Sequence, residues 1–140
     1  MVADVYTKKT KELCEKAKLY EFRSTIKKIF TEILDSGCKY GIVDIAYRTA
    51  IERSSDSGRI IRLKIEKNEP PIWALWKLLH EYGHYQSGEK KPGDKTMDRE
   101  VLAWKYAEAD VKKYPDLIPY IKDFYNRRDY CLESYRRNGY

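Results

Sequence analysis

An α+β fold, with a small and mostly antiparallel sheet packed against several helices, is what this 140-residue sequence predicts. Three observations carry it. Residues 39–48 and 59–67 alternate apolar and polar side chains with the period of two that a half-buried strand needs. Residues 8–35 repeat their apolar positions with the period of a helix instead. Beyond Pro70-Pro71 the chain reads as three further helices separated by a polar loop and a proline. Helix, strands, then helices is the order of a small sheet packed on helices, and the length suits one domain over residues 1–140.

Each element has its own signal. Over residues 8–35, Phe22, Ile26, Ile29, Phe30 and Ile33 fall on one helical face, and Ser36-Gly37 supplies the stop. In 39–48, Val43, Ile45 and Tyr47 alternate with Asp44, Ala46 and Arg48. Ser54-Ser55-Asp56-Ser57-Gly58 is a turn by composition, and residues 48–53 allow a third short strand before it. In 59–67, Ile61, Leu63 and Ile65 face one way and Arg62, Lys64 and Glu66 the other. The two clear strands are expected to pair antiparallel, with 59–67 available as an exposed edge along which a peptide could add. A helix is expected over 71–87, since proline suits a first helical position. Another covers 96–113, with Thr96 or Asp98 as N-cap. Tyr114-Pro115-Asp116 breaks it, and a last helix covers 116–137.

The chemistry lies in the helix at 71–87. His80-Glu81-Tyr82-Gly83-His84 uses both histidines of the chain. Residues four apart stand one above the other on a helix, so the two imidazoles can bind one metal ion. Glu81, on the same turn, is placed to handle the proton of a water activated there. This is the H-E-x-x-H arrangement of zinc peptidases. Ile72, Leu75, Leu79 and Tyr82 make an apolar stripe, while Trp76, His80 and His84 share another face. The histidines therefore sit on a largely buried helix, where a carboxylate such as Glu81 needs a partner or a task.

Two histidines leave a catalytic zinc one protein ligand short. Cys131, Asp94 and Asp98 are possible, but Glu100 is the best choice. It continues, one turn earlier, the inward stripe of Ala103, Trp104, Ala107 and Val111, where a buried carboxylate would need a cation. Small alanines permit close packing against the motif helix. Gly83, costly in mid-helix by about 1 kcal/mol against alanine, suggests such an approach between the two histidines.

His80-Glu81-Tyr82-Gly83-His84, a short polar loop, and then Glu100-x-x-Ala103-Trp104-x-x-Ala107 resembles the ImmA/IrrE family of small metallopeptidases over roughly residues 38–112. The resemblance implies a zincin-like core with the motif on a central helix. It also implies Zn²⁺ held by His80, His84 and Glu100, with Glu81 as general base. Nitrogen and carboxylate donors would also suit Mn²⁺. The implied setting is the cytoplasm of a bacterium, or a phage or mobile element. The implied partner is a protein substrate such as a DNA-binding transcriptional repressor. Residues 1–35 and 114–140 lie outside the resemblance.

Charge and cysteines bound the alternatives. The net charge is +6, but residues 70–112 carry 7 basic against 7 acidic side chains, and no long basic run occurs. Nucleic-acid binding is therefore expected to be weak or absent. A SprT-like protease acting on DNA-bound protein is one alternative, and the lack of a C-x-x-C for a zinc ribbon counts against it. A non-catalytic metal-binding interaction protein of a phage or mobile element is another, and Glu81, which a structural site does not require, counts against that. Cys14, Cys38 and Cys131 are scattered and odd in number, which suits reduced thiols in a cytosolic protein. No apolar h-region opens the chain, and no run approaches a membrane span.

Overall fold

The helix expected over 8–35 is two helices. In the computed structural model, which describes residues 4–42, 49–53 and 58–140, α1 spans Val5–Ala17 and α2 spans Arg23–Asp35, with a single 3₁₀ turn, Tyr20–Phe22, between them. The break falls at Lys18, which adopts the left-handed conformation (φ 59°). Its N–H and that of Leu19 both turn back to the Cys14 carbonyl. The reason is burial. A continuous helix would expose much of its apolar stripe, whereas folding back lets α1 and α2 pack on each other and bury Leu13, Leu19, Ile26, Ile29, Phe30 and Ile33. Near the open end of the hairpin the Tyr6 hydroxyl donates to the Asp35 carboxylate. Gly37 ends α2 as its composition suggests. At φ 93° it donates to Leu34, while Cys38 donates to Ile33, the paired bonds of a Schellman cap.

The sheet is mixed. β1 is Lys39–Ile42, β2 is Ala50–Arg53 and β3 is Arg59–Leu63, in the order β1-β3-β2. β3 pairs parallel with β1, Tyr40 opposite Ile61, and antiparallel with β2, Ile51 opposite Ile61. The expected antiparallel pairing of the first and last strands is thus corrected. Alternation specifies which face a residue takes, not the direction of its neighbour, and the short middle strand took the antiparallel place. β3 is consequently central and is not the exposed edge expected of it. It ends at Leu63 because Lys64 exchanges its backbone bonds with the Thr49 hydroxyl rather than with a strand. The expected faces hold, with Ile61 and Leu63 fully buried. Val43 to Arg48, in the first expected strand, and Ser54 to Ser57, in the expected turn, lie outside the described residues. The Phe30 and Tyr40 rings meet at 4.6 Å, tying α2 to β1.

The remaining helices are α3 (Trp73–Gln86), α4 (Thr96–Lys113) and α5 (Ile121–Arg137). Pro70, Pro71 and Ile72 form the turn into α3, their carbonyls accepting from Trp73, Ala74 and Leu75. α4 is capped at Lys95, without a side-chain bond, rather than at Thr96 or Asp98. Those two lie inside the first turn, where Asp98 suits the helix dipole. The last helix is shorter than 116–137. Pro115–Tyr120 is 3₁₀, because Pro119 has no N–H to donate to an α-helical ladder. The chain divides into two units, Met1–Leu75 and Trp76–Tyr140, and the described residues are α+β in class. No helix among them is long and apolar enough to cross a membrane.

A lysine held left-handed costs roughly 1–2 kcal/mol that glycine avoids. Glycine also has more freedom to lose on folding, which offsets part of the gain. Lys18→Gly is therefore expected to raise stability by about 0.5–1 kcal/mol, read as a higher urea midpoint at unchanged slope.

Candidate metal centre

α3 and α4 build the centre from opposite sides. Along α3, Trp76, His80 and His84 follow one another at four-residue spacing, beside the buried Leu75, Leu79 and Tyr82. Along α4, Ala103, Trp104, Ala107 and Val111 are all buried, and Glu100, one turn before them, is only 5% exposed. Glu100 is therefore not a solvated surface glutamate. The two helices come into backbone contact at a pair of small residues, Gly83 and Ala103. A Cβ added to Gly83 would lie 2.2 Å from the Ala103 carbonyl oxygen, well inside van der Waals contact. The mid-helix glycine thus has the reason the sequence suggested.

That approach brings the Glu100 carboxylate to both imidazoles. Glu100 Oε1 lies 3.2 Å from His80 Nε2, and Oε2 lies 2.6 Å from His84 Nε2. One ligand atom from each of His80, His84 and Glu100 can be chosen so that all lie within 4.8 Å of one another. Donors at ~2.0–2.1 Å around one tetrahedral ion are separated by roughly 3.3 Å, so the spacing suits a shared cation. A second observation points the same way. His80 Nε2 and Glu100 Oε1 are buried without a hydrogen-bond partner. Their mutual contact is close but too poorly directed to satisfy either. Two orphaned donor atoms facing each other in a buried site are what a cation between them would resolve. His80, His84 and Glu100 therefore form a group that could hold a metal ion; the donor set does not select the element.

Glu100 is suited to that charge. Burial alone would push its carboxyl up, but the donors and positive charge presented by His80 and His84 outweigh burial and bring it down to about 2. It is ionised throughout the neutral range. Glu81 stands beside the group without belonging to it. Its carboxylate is 3.7 Å from His80 Nδ1, and both side chains are largely shielded.

The other candidate ligands are elsewhere. Asp94 accepts from the Lys91 N–H at 2.7 Å and faces the Arg99 guanidinium at 3.7 Å, so it closes its own loop. Asp98 is exposed, and Cys131, on α5, is not part of the group. Sequence reasoning missed the surroundings of His80. Trp104 stacks on its ring, Phe124 packs edge-on against Trp104, and Trp76 donates its indole N–H to Asp123. The available signal was helical spacing, four residues from Glu100 to Trp104 and four from Trp76 to His80. Phe124 and Asp123 gave none. Comparison with protein-family models, characterised proteins and solved structures finds no match to this chain.

Gly83→Ala sets two effects against each other. Alanine favours the helix by about 1 kcal/mol, but its methyl would strike backbone, which cannot swing aside as a side chain can. Overpacking of this kind costs about 1–3 kcal/mol, occasionally more. A net loss of about 2 kcal/mol is expected in chemical denaturation.

Proposed function

We propose that this protein is a zinc-dependent metallopeptidase of the ImmA/IrrE kind, hydrolysing a peptide bond in a protein substrate. The observation that carries the reading is the convergence of His80, His84 and Glu100 from two helices, with a further carboxylate, Glu81, alongside. A purely structural site has no use for that fourth group. Two imidazoles and one carboxylate are also a donor set of catalytic zinc sites, which keep one position open; Mn²⁺ remains chemically compatible. A divalent ion bound there supplies Lewis acidity to the scissile carbonyl and acidity to water.

The residues would divide the work. Glu81 takes the proton of the attacking water on its carboxylate and returns it to the leaving amine. Glu100 contributes one negative charge, since it stays ionised at neutral pH. His80 and His84 contribute nitrogen donors, and the surrounding burial excludes bulk water and strengthens each electrostatic contact. The resemblance supports a DNA-binding repressor as the substrate and a cytoplasmic setting. The even charge balance around the motif supports recognition of protein rather than of nucleic acid.

Purified wild-type protein is expected to bind one equivalent of zinc, measured by elemental analysis, and His80→Ala and Glu100→Ala are each expected to lose it. A stoichiometry unchanged in Glu100→Ala would remove that residue from the ligand set. Glu81→Gln is expected to retain the metal while cleavage of the protein substrate, sought first among DNA-binding repressors, falls by about 10²–10⁴-fold, the range for loss of a general base. Cleavage at the wild-type rate in that variant would exclude Glu81 from proton transfer.

A further inference from the structure

His80 is held on its flank, while its Nε2 faces Glu100 without a hydrogen bond. The Trp104 indole lies face to face with the imidazole, ring centres 4.2 Å apart and planes 8° from parallel. His84 has a looser relation to the same ring, 4.8 Å away and tilted by 56°. Trp104 is 2% exposed, and its N–H is buried without a hydrogen-bond partner. Shape alone therefore sets its orientation. Phe124 of α5 meets Trp104 at 5.6 Å and Trp76 at 5.3 Å, both in the edge-to-face range. Trp76 is anchored in turn by its N–H donated to Asp123 at 2.8 Å.

An imidazole on a helix keeps a broad, roughly two-fold freedom about its second torsion. A parallel ring in contact with its face removes that freedom, because rotation would drive the imidazole edge into the indole. We propose that Trp104, braced by Phe124, is a positioning residue that locks the His80 ring with Nε2 turned to Glu100 and so preorganises the metal centre. The role rests on the metal centre proposed above. It gives the C-terminal segment a purpose, since α5 carries none of the three ligand candidates yet backs the ring that orients one. A partner that orients a ligand is typically worth 10–100-fold in metal affinity.

The test uses the full chain. In the metal-free wild type, an imidazole held over an indole face has its ring protons shifted upfield by the ring current. With only two histidines in the chain, His84→Gln assigns the signals. The His80 protons are expected clearly upfield of those of His84; coincident, unshifted signals would overturn the proposal without any Trp104 variant. Zinc affinity is then measured by chelator competition, with thermal melting as the control for folding. Trp104→Leu is expected to bind about tenfold or more weakly. Trp104→Phe, which keeps a stacking face and sacrifices no hydrogen bond, is expected to stay within about threefold of wild type. A folded Trp104→Leu that binds zinc like the wild type would overturn the role. A wild-type chain that binds no metal would sink the metal centre and this role together, whereas a metal-binding chain with an unshifted His80 sinks the role alone.

Discussion

Two helix backbones meet at Gly83 and Ala103, and the chemistry of the site depends on that contact. A carboxylate on a short side chain reaches two imidazoles on a neighbouring helix only if the helix axes come closer than ordinary side chains allow. Gly83, next to His84, removes the obstruction, and Ala103 presents backbone instead of bulk. Ala107, fully buried one turn further along α4, continues the small-residue surface. The glycine lowers the intrinsic stability of α3 by about 1 kcal/mol. In return, Glu100 Oε1 and Oε2 come within 3.2 and 2.6 Å of His80 and His84.

The same contact eases an electrostatic difficulty in part. Desolvating a carboxylate costs several kcal/mol unless charge or donors compensate. Glu100 is buried in the second turn of α4, and two imidazoles face it. The compensation is incomplete in this arrangement, with one oxygen and one ring nitrogen left unsatisfied. Incomplete satisfaction is costly for a purely structural cluster and serviceable for one meant to receive a cation. The aromatic rings around it add rigidity. Trp76, Phe124 and Trp104 form a contiguous edge-to-face stack that ends on His80. The imidazole is therefore constrained by packing, which does not compete for its ligand atom.

Local rules read some parts of this chain well. The motif helix, the helix carrying Glu100, the glycine stop after Asp35 and the faces of β3 all follow from spacing or composition. The errors share one cause. The break at Lys18 carries no glycine or proline, and the apolar period runs on across it. The parallel pairing of β1 with β3 leaves no mark on alternation. Lys95 caps α4 with its backbone alone, which no side-chain preference reveals. Phe124 is one apolar residue among several on α5, and only its buried place between two indoles distinguishes it from the exposed Tyr130.

By itself, the sequence determined that His80, Glu81 and His84 share a turn of helix and that Glu100 heads a buried stripe, because 3.6-residue periodicity is a local property of the backbone. Tertiary structure alone decided that Glu100 meets both histidines, that Trp104 lies flat on one of them, and that β3 runs in the middle of its sheet. Those outcomes depend on the distance and direction between segments, which close packing of side chains settles and which no pattern within a single segment encodes.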